Sequence, residues 1–233
     1  MSIAEKLTLI AENQQKVYDN GLKAGEQSVY DAFWDTYQEG GNRTHYSYAF
    51  GGKGWTDETF KPKYDIRCGS TTGICMFAYS KITNLKKILE EQGVVLDTSQ
   101  CTDLGSLFNT CTNLTAIPPI DASNAKHCGS MFYNATHIDG IYLKLKNDGS
   151  QTFTSTFQYC NKLCTLRIES GLIGQDISLK HSDLSKESIL SVLNALATDA
   201  SGKTVTFKSS YLQTDVDVVA AINARPTWTI SFV

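Results

Sequence analysis

Seven cysteines and four histidines are the side chains with the widest chemical repertoire in this 233-residue chain. The cysteines are Cys68, Cys75, Cys101, Cys111, Cys128, Cys160 and Cys164. Their number is odd and no CxxC occurs. Cys160 with Cys164, or His127 and Cys128 with His137, have the wrong spacing for a standard zinc site. They read instead as small buried hydrophobes. His45, His127, His137 and His181 have no nucleophile beside them in a recognised frame, and GxSxG, HExxH and GxGxxG are all absent. "FGGKGW", from Phe50 to Trp55, invites a phosphate-loop reading. GxxxxGK[ST] is missing, however, and no strong apolar strand precedes it. Asp97 and Asp121 recur in equivalent contexts, and turn chemistry accounts for them, with carboxylates capping local N–H groups. Paired carboxylates for glycoside hydrolysis would need a convergence that repetition does not supply. The expectation is a non-enzymatic chain with no catalytic residue, no metal site and no cofactor. Sequons at Asn42, Asn113 and Asn134 carry little weight in a chain without a signal peptide.

Composition agrees. Hydrophobic residues make up 41% and charged residues 19%, so the chain can build a core. The net charge is -3 with no basic cluster, so nucleic acid is not an expected partner. No apolar run approaches the roughly 18 residues of a membrane span. "MSIAEKLTLIAENQQKV" is too polar to hold a secretory apolar core, so no cleaved export signal is expected.

The elements that would position any site come from a repeat. "GSLFNTCTNL" (from Gly105), "GSMFYNATHI" (from Gly129) and "TSTFQYCNKL" (from Thr154) share one pattern, with Phe108, Phe132 and Phe157 at spacings of 24 and 25. Six positions after each Phe stand Leu114, Ile138 and Leu163. Nine after stand Ile117, Ile141 and Leu166. Eleven after stand Pro119, Leu143 and Ile168. The small residues Cys111, Ala135 and Cys160 follow each Phe by three. A degenerate unit, "CMFAYSKITNL", supplies Phe77, Ile82 and Leu85. The last unit reads "LCTLRI", an LxxLxL pattern whose final residues alternate as in a strand with one buried face. One such unit cannot bury its own apolar face, but stacked units can, with strands paired in a parallel ladder. The expected fold class is α/β: a short leucine-rich repeat solenoid with an N-terminal helix and a βα C-terminal cap. The expected repeat core is Phe77, Phe108, Leu114, Ile117, Phe132, Ile138, Ile141, Phe157, Leu163 and Leu166. Pro119 cannot donate to a ladder, so its strand is expected to be short or bent.

Four regions follow: an N-terminal helix at 1–38, an aromatic and Gly-rich N-cap region at 39–73, the repeats at 74–174 and the C-terminal cap at 175–233. In the cap, Ser185 is the expected N-cap of a helix with the stripe Ile189, Val192, Leu193 and Leu196. Thr204 to Lys208 reads as a strand. A second helix follows, capped by Thr214 with Asp215 and Asp217 in its first turn, and stopped by Pro226. "TWTISFV" reads as a final strand. At the other end, Ile3, Leu7, Ile10, Gln14, Val17 and Ala24 fall at heptad a and d positions, softened by Gly21 and Gly25. Ile3, Leu7, Ile10 and Val17 are the expected oligomerisation residues. The alternative is a helix lying on the repeats as their cap. The aromatic stretch with Tyr46, Tyr48, Phe50, Trp55, Phe60 and Tyr64 reads as a compact loop or hairpin capping the first unit, or as an aromatic patch for glycan or protein.

The wording "LDTSQCTDLGSLFNTCTNLTAI" and "IDASNAKHCGSMFYNATHIDGI" resembles the BspA-like leucine-rich repeats of bacterial surface proteins, over roughly residues 74–173. The whole chain resembles leucine-rich repeat proteins found in prophages of gut Firmicutes. That resemblance implies a non-enzymatic virion component: a tail-fibre, receptor-binding or capsid-decoration protein, homo-oligomeric through its N-terminal helix. BspA-like resemblance alone implies a bacterial cell-surface adhesin or secreted interaction module. An intracellular scaffold is a third reading. The expected partner is a protein or a cell-surface glycan. The outward strand positions are Ala116, Pro118 and Ile120, then Gly140, Tyr142 and Lys144, then Thr165, Arg167 and Glu169. From these, and from the segments after Phe, the candidate ligand face is Tyr142, Lys144, Arg167, Glu169, Tyr133 and Tyr159, since Tyr and Arg are common interface anchors.

Overall fold

The computed structural model describes residues 43–45, 49–52 and 55–233. It is a mixed α/β fold in which all strand pairing is parallel, with three α-helices among the described residues and no closed barrel. In chain order the elements are β1 (Arg43–His45), β2 (Ile66–Thr72), α1 (Leu85–Gln92), β3 (Leu96–Asp97), β4 (Ile120–Asp121), β5 (Gly140–Lys144) and β6 (Thr165–Ser170). Then come β7 (Ile177–Leu179), α2 (Lys186–Ala195), β8 (Lys203–Phe207), α3 (Val216–Asn223) and β9 (Trp228–Phe232). Three three-stranded sheets run β1-β2-β3, β4-β5-β6 and β7-β8-β9, each strand pairing with its neighbour in sequence. A parallel neighbour in sequence requires the chain to return across the core between strands, and the repeated segment is that return.

The returns pack by stacking. Phe77, Phe108, Phe132 and Phe157 lie ring over ring, with centroids 5.4, 5.8 and 5.8 Å apart and planes within 18°. The backbone joins the same units: Phe77 N–H donates to Leu107 O, Phe108 N–H to Met131 O and Phe132 N–H to Thr156 O, at 2.8 to 3.0 Å. Two positions before and two after each Phe the backbone is left-handed without glycine, at Cys75 and Tyr79, Ser106 and Thr110, Ser130 and Asn134, Ser155 and Tyr159. The small residue after Phe has a specific contact. Cys111 Sγ donates to Phe77 O and Cys160 Sγ to Phe132 O, each at 3.0 Å. All ten residues of the expected repeat core are buried. Asp97 and Asp121 accept from the backbone N–H and hydroxyl of Ser99 and Ser123, at 2.6 to 3.0 Å. Asp148 and Ser150 repeat the motif once more, which the alignment on Phe misses.

At the N-terminal side Phe50, Trp55 and Phe60 are buried, with Phe50 and Phe60 packed against Phe77 and Trp55 edge-on to Phe60. Tyr64 stays exposed. Tyr46 and Tyr48 lie outside the described residues, as do Ile3, Leu7, Ile10, Val17 and the expected N-terminal helix.

Four local expectations need correction. Pro119 does not occupy the strand position opposite Leu143; Ile120 does, and Asp121 faces Lys144. Ile120 is therefore buried, not outward. A residue with no N–H is excluded from the ladder, so the pairing slips by one, and β4 keeps only two residues. The N-cap of α3 is Asp215 rather than Thr214: its carboxylate accepts from Asp217 and Val218 N–H at 3.0 and 3.3 Å. β8 starts at Lys203 and ends at Phe207, one residue earlier than expected. Finally, α1 was not anticipated. Asn84 caps it by accepting from Lys87 N–H, and Gly93 ends it in the left-handed conformation. It fills the longer interval between Phe77 and Phe108, and it buries Leu85, Ile88 and Leu89.

Candidate binding surface

β5 and β6 alternate as their sequences dictate. Ile141, Leu143 and Leu166 point into the core. Tyr142, Lys144, Arg167 and Glu169 are exposed on the opposite face. Tyr142 and Arg167 are direct register partners, so their side chains stand side by side. Leu143 pairs with Ile168 but Lys144 with Ser170, which makes Glu169 the extra residue of a bulge. Lys144 is turned toward Asp121, with Nζ 3.9 Å from the carboxylate. Gly171 then takes the chain off the sheet at φ +94°, where a Cβ would come within 2.1 Å of the Leu145 carbonyl oxygen.

Among the described residues no strand continues the sheet beyond β6. Helix α2 lies there instead, and its serines bond the strand edge. Leu166 N–H donates to Ser188 Oγ at 3.0 Å and Ile168 N–H to Ser191 Oγ at 2.9 Å, while Ser188 Oγ donates to Cys164 O. Ile189, Val192 and Leu193 are buried, as their spacing requires. The other face of the helix carries Glu187, Leu190, Ser191 and Asn194. An accessible groove of about 690 Å³ runs between that face and Tyr142, Arg167, Ile168, Glu169 and Gly171. Within it, Tyr142, Arg167, Glu169 and the Asn194 amide make no side-chain hydrogen bond or ion pair. Glu187 is held below the usual carboxylate range by its own backbone N–H and then by Ser185.

The six candidate residues therefore fall into two groups. Tyr142, Lys144, Arg167 and Glu169 share the strand face. Tyr133 and Tyr159 sit on the turn segments and meet each other edge-on at 5.6 Å, with His181 lying 4.7 Å from Tyr159. His181 is shifted below the ordinary histidine value by burial, then by the positive charges of Lys180 and Lys208. Nothing in the sequence marks His181 as a neighbour of Tyr159, or Glu187, Leu190 and Asn194 as a wall. The stripe of α2 fixes which of its faces turns outward, but only docking on β6 makes that face one side of a groove.

Cys111, Cys128 and Cys160 are pushed up to about 12 by burial, so they are neutral thiols near pH 7. Among the described residues no group of three or more His, Cys, Asp or Glu side chains could hold a metal ion. No helix among them is long and apolar enough to cross a membrane. No protein-family profile, curated protein or solved structure matches the chain.

Proposed function

We propose that this chain is a non-enzymatic binding and structural protein of the BspA-like leucine-rich repeat type, and that it serves as a bacteriophage virion component engaged in host attachment or capsid decoration. In this reading the four stacked Phe units are turns of a short solenoid. The β7-β8-β9 sheet with α2 and α3 is its C-terminal cap, and residues 1–38 are its oligomerisation or attachment segment. The observation that carries the binding role is the strand face. Tyr142 and Arg167 stand side by side there, beside a groove in which Tyr142, Arg167, Glu169 and the Asn194 amide make no hydrogen bond or close ion pair. Such groups are solvated in the free protein and available to a ligand. The virion assignment rests on the resemblance of the repeats and flanking segments to prophage leucine-rich repeat proteins.

The test is immunogold microscopy with antibody raised against the purified chain, on particles induced from the lysogen and on uninduced cells. Label on tail fibres or capsids, with the particle-bound protein identified by mass spectrometry, is the expected result. Unlabelled particles with labelled cell surfaces would replace the virion reading with a surface adhesin.

A further inference from the structure

We infer that the groove between β6 and α2 is a saccharide site, built for the neutral pyranose rings of a glycan; this deepens, and rests on, the reading of the strand face as a binding surface. The groove's volume, about 690 Å³, lies in the range of small-ligand sites, roughly 300 to 1,000 Å³. Its side chains match a sugar's two kinds of surface. A pyranose has an apolar C–H face and a rim of hydroxyls. Tyr142, 41% exposed, offers a ring on which the first can stack. Arg167, Glu169 and Asn194 are planar groups that present paired donors or acceptors, suited to neighbouring hydroxyls.

The pairing pattern sharpens this. Several surface charges elsewhere close on each other: Lys186 on Asp217 at 2.6 Å, Arg67 on Asp65 at 2.7 Å, Lys208 on Asp183 at 2.8 Å. In the groove Arg167 shares its space with Glu169 and Glu187 and makes a close ion pair with neither, although its charge helps hold Glu187 ionised. One guanidinium and two carboxylates leave the lining with a formal excess of negative charge, which opposes anionic glycans. A peptide added as a further strand is also disfavoured. The Leu166 and Ile168 N–H groups it would need are already taken by Ser188 and Ser191.

The experiment titrates the ¹⁵N-labelled full chain with maltotriose, chitotriose, lacto-N-tetraose and 3′-sialyllactose. At least one neutral sugar is expected to shift the amides of Tyr142, of 167–171 and of 187–194, while sialyllactose leaves them in place. Tyr142→Ala and Asn194→Ala are each expected to weaken that binding by about tenfold. Tyr159→Ala is expected to leave it unchanged. Thermal melts of the variants, whose side chains are solvent-facing or unpaired, confirm folding. The inference is overturned if no neutral sugar moves these amides, if sialyllactose alone does, or if the shifts map to Tyr133, Tyr159 and His181. Adsorption of the same protein to host cells separates the two levels. Cell binding that no neutral sugar competes away removes the saccharide site and keeps the binding module. Binding to neither cells nor sugars removes both.

Discussion

The left-handed residues that flank every stacked Phe are Ser, Thr, Asn, Tyr and Cys, never Gly. Of these only Asn takes that conformation readily, and a β-branched residue takes it at a penalty. Thr110 and Asn134 occupy equivalent positions in adjacent units, at φ 56° and 57°. Thr110→Asn is therefore expected to raise stability by about 1 kcal/mol and Asn134→Thr to lower it by about as much; urea unfolding of both variants measures the pair, and equal midpoints would remove strain from the account. These positions could not be read from the sequence, because nothing in the residue types Ser, Tyr or Cys announces a positive φ. His181 carries the pH dependence at this scale. Its folded pKa is lowered by burial, Lys180 and Lys208, so the unfolded chain binds its proton first. Its contribution is present above the unfolded value near 6.5 and is lost as pH falls through the lower folded value. Lys208 is itself paired with Asp183, which tempers its repulsion without removing it. Unfolding midpoints should fall between pH 7 and pH 5, and His181→Gln should flatten that slope. A variant with the wild-type slope would assign the titration elsewhere.

Helix α2 has a role that its own sequence shows only in part. The apolar stripe and the Ser185 cap are legible, because burial selects hydrophobic residues at helical spacing and the cap must accept from an orphan N–H. That Ser188 and Ser191 face a strand edge is not legible, since a helical serine usually meets solvent. Here they satisfy two N–H groups of β6 that would otherwise be hidden from water. Ser188→Ala and Ser191→Ala are each expected to cost about 1 to 3 kcal/mol. Faster amide exchange should appear at Leu166 and Ile168 specifically. Unchanged exchange at those two amides would mean that the helix covers the edge without bonding it. The same contrast explains β4 and α1. Hydrophobic spacing located the strand after Phe108, but its register was decided by Pro119, which has no N–H to offer. Helix α1 was missed because it falls in the interval where the repeat is interrupted, although Asn84 and Gly93 mark both its ends.

For the whole molecule, the arrangement of contacts determines how it comes apart. Among the described residues each stacked Phe meets the rings of its neighbours along the stack, with Phe50 and Phe60 beyond Phe77 at one end, and backbone bonds link the same units. Coupling between the two ends of such an array must pass through its centre. Two tryptophans report on those ends. Trp55 lies beside Phe60 at the aromatic end, and Trp228 donates to Ala197 O from the last strand. Phe132 stands between Phe108 and Phe157. Its truncation removes stacking on both sides, and Phe132→Ala is expected to cost about 3 to 5 kcal/mol. The consequence for cooperativity is more telling than the cost. In a Trp34→Phe background, with either Trp55 or Trp228 also replaced by Phe, the two reporters should share one urea midpoint when Phe132 is present. With Phe132→Ala they should separate, because each end then unfolds with only its own neighbours to hold it. A single shared midpoint, merely lowered, would mean that the strands and α2 carry the coupling and that the aromatic stack only fills the core.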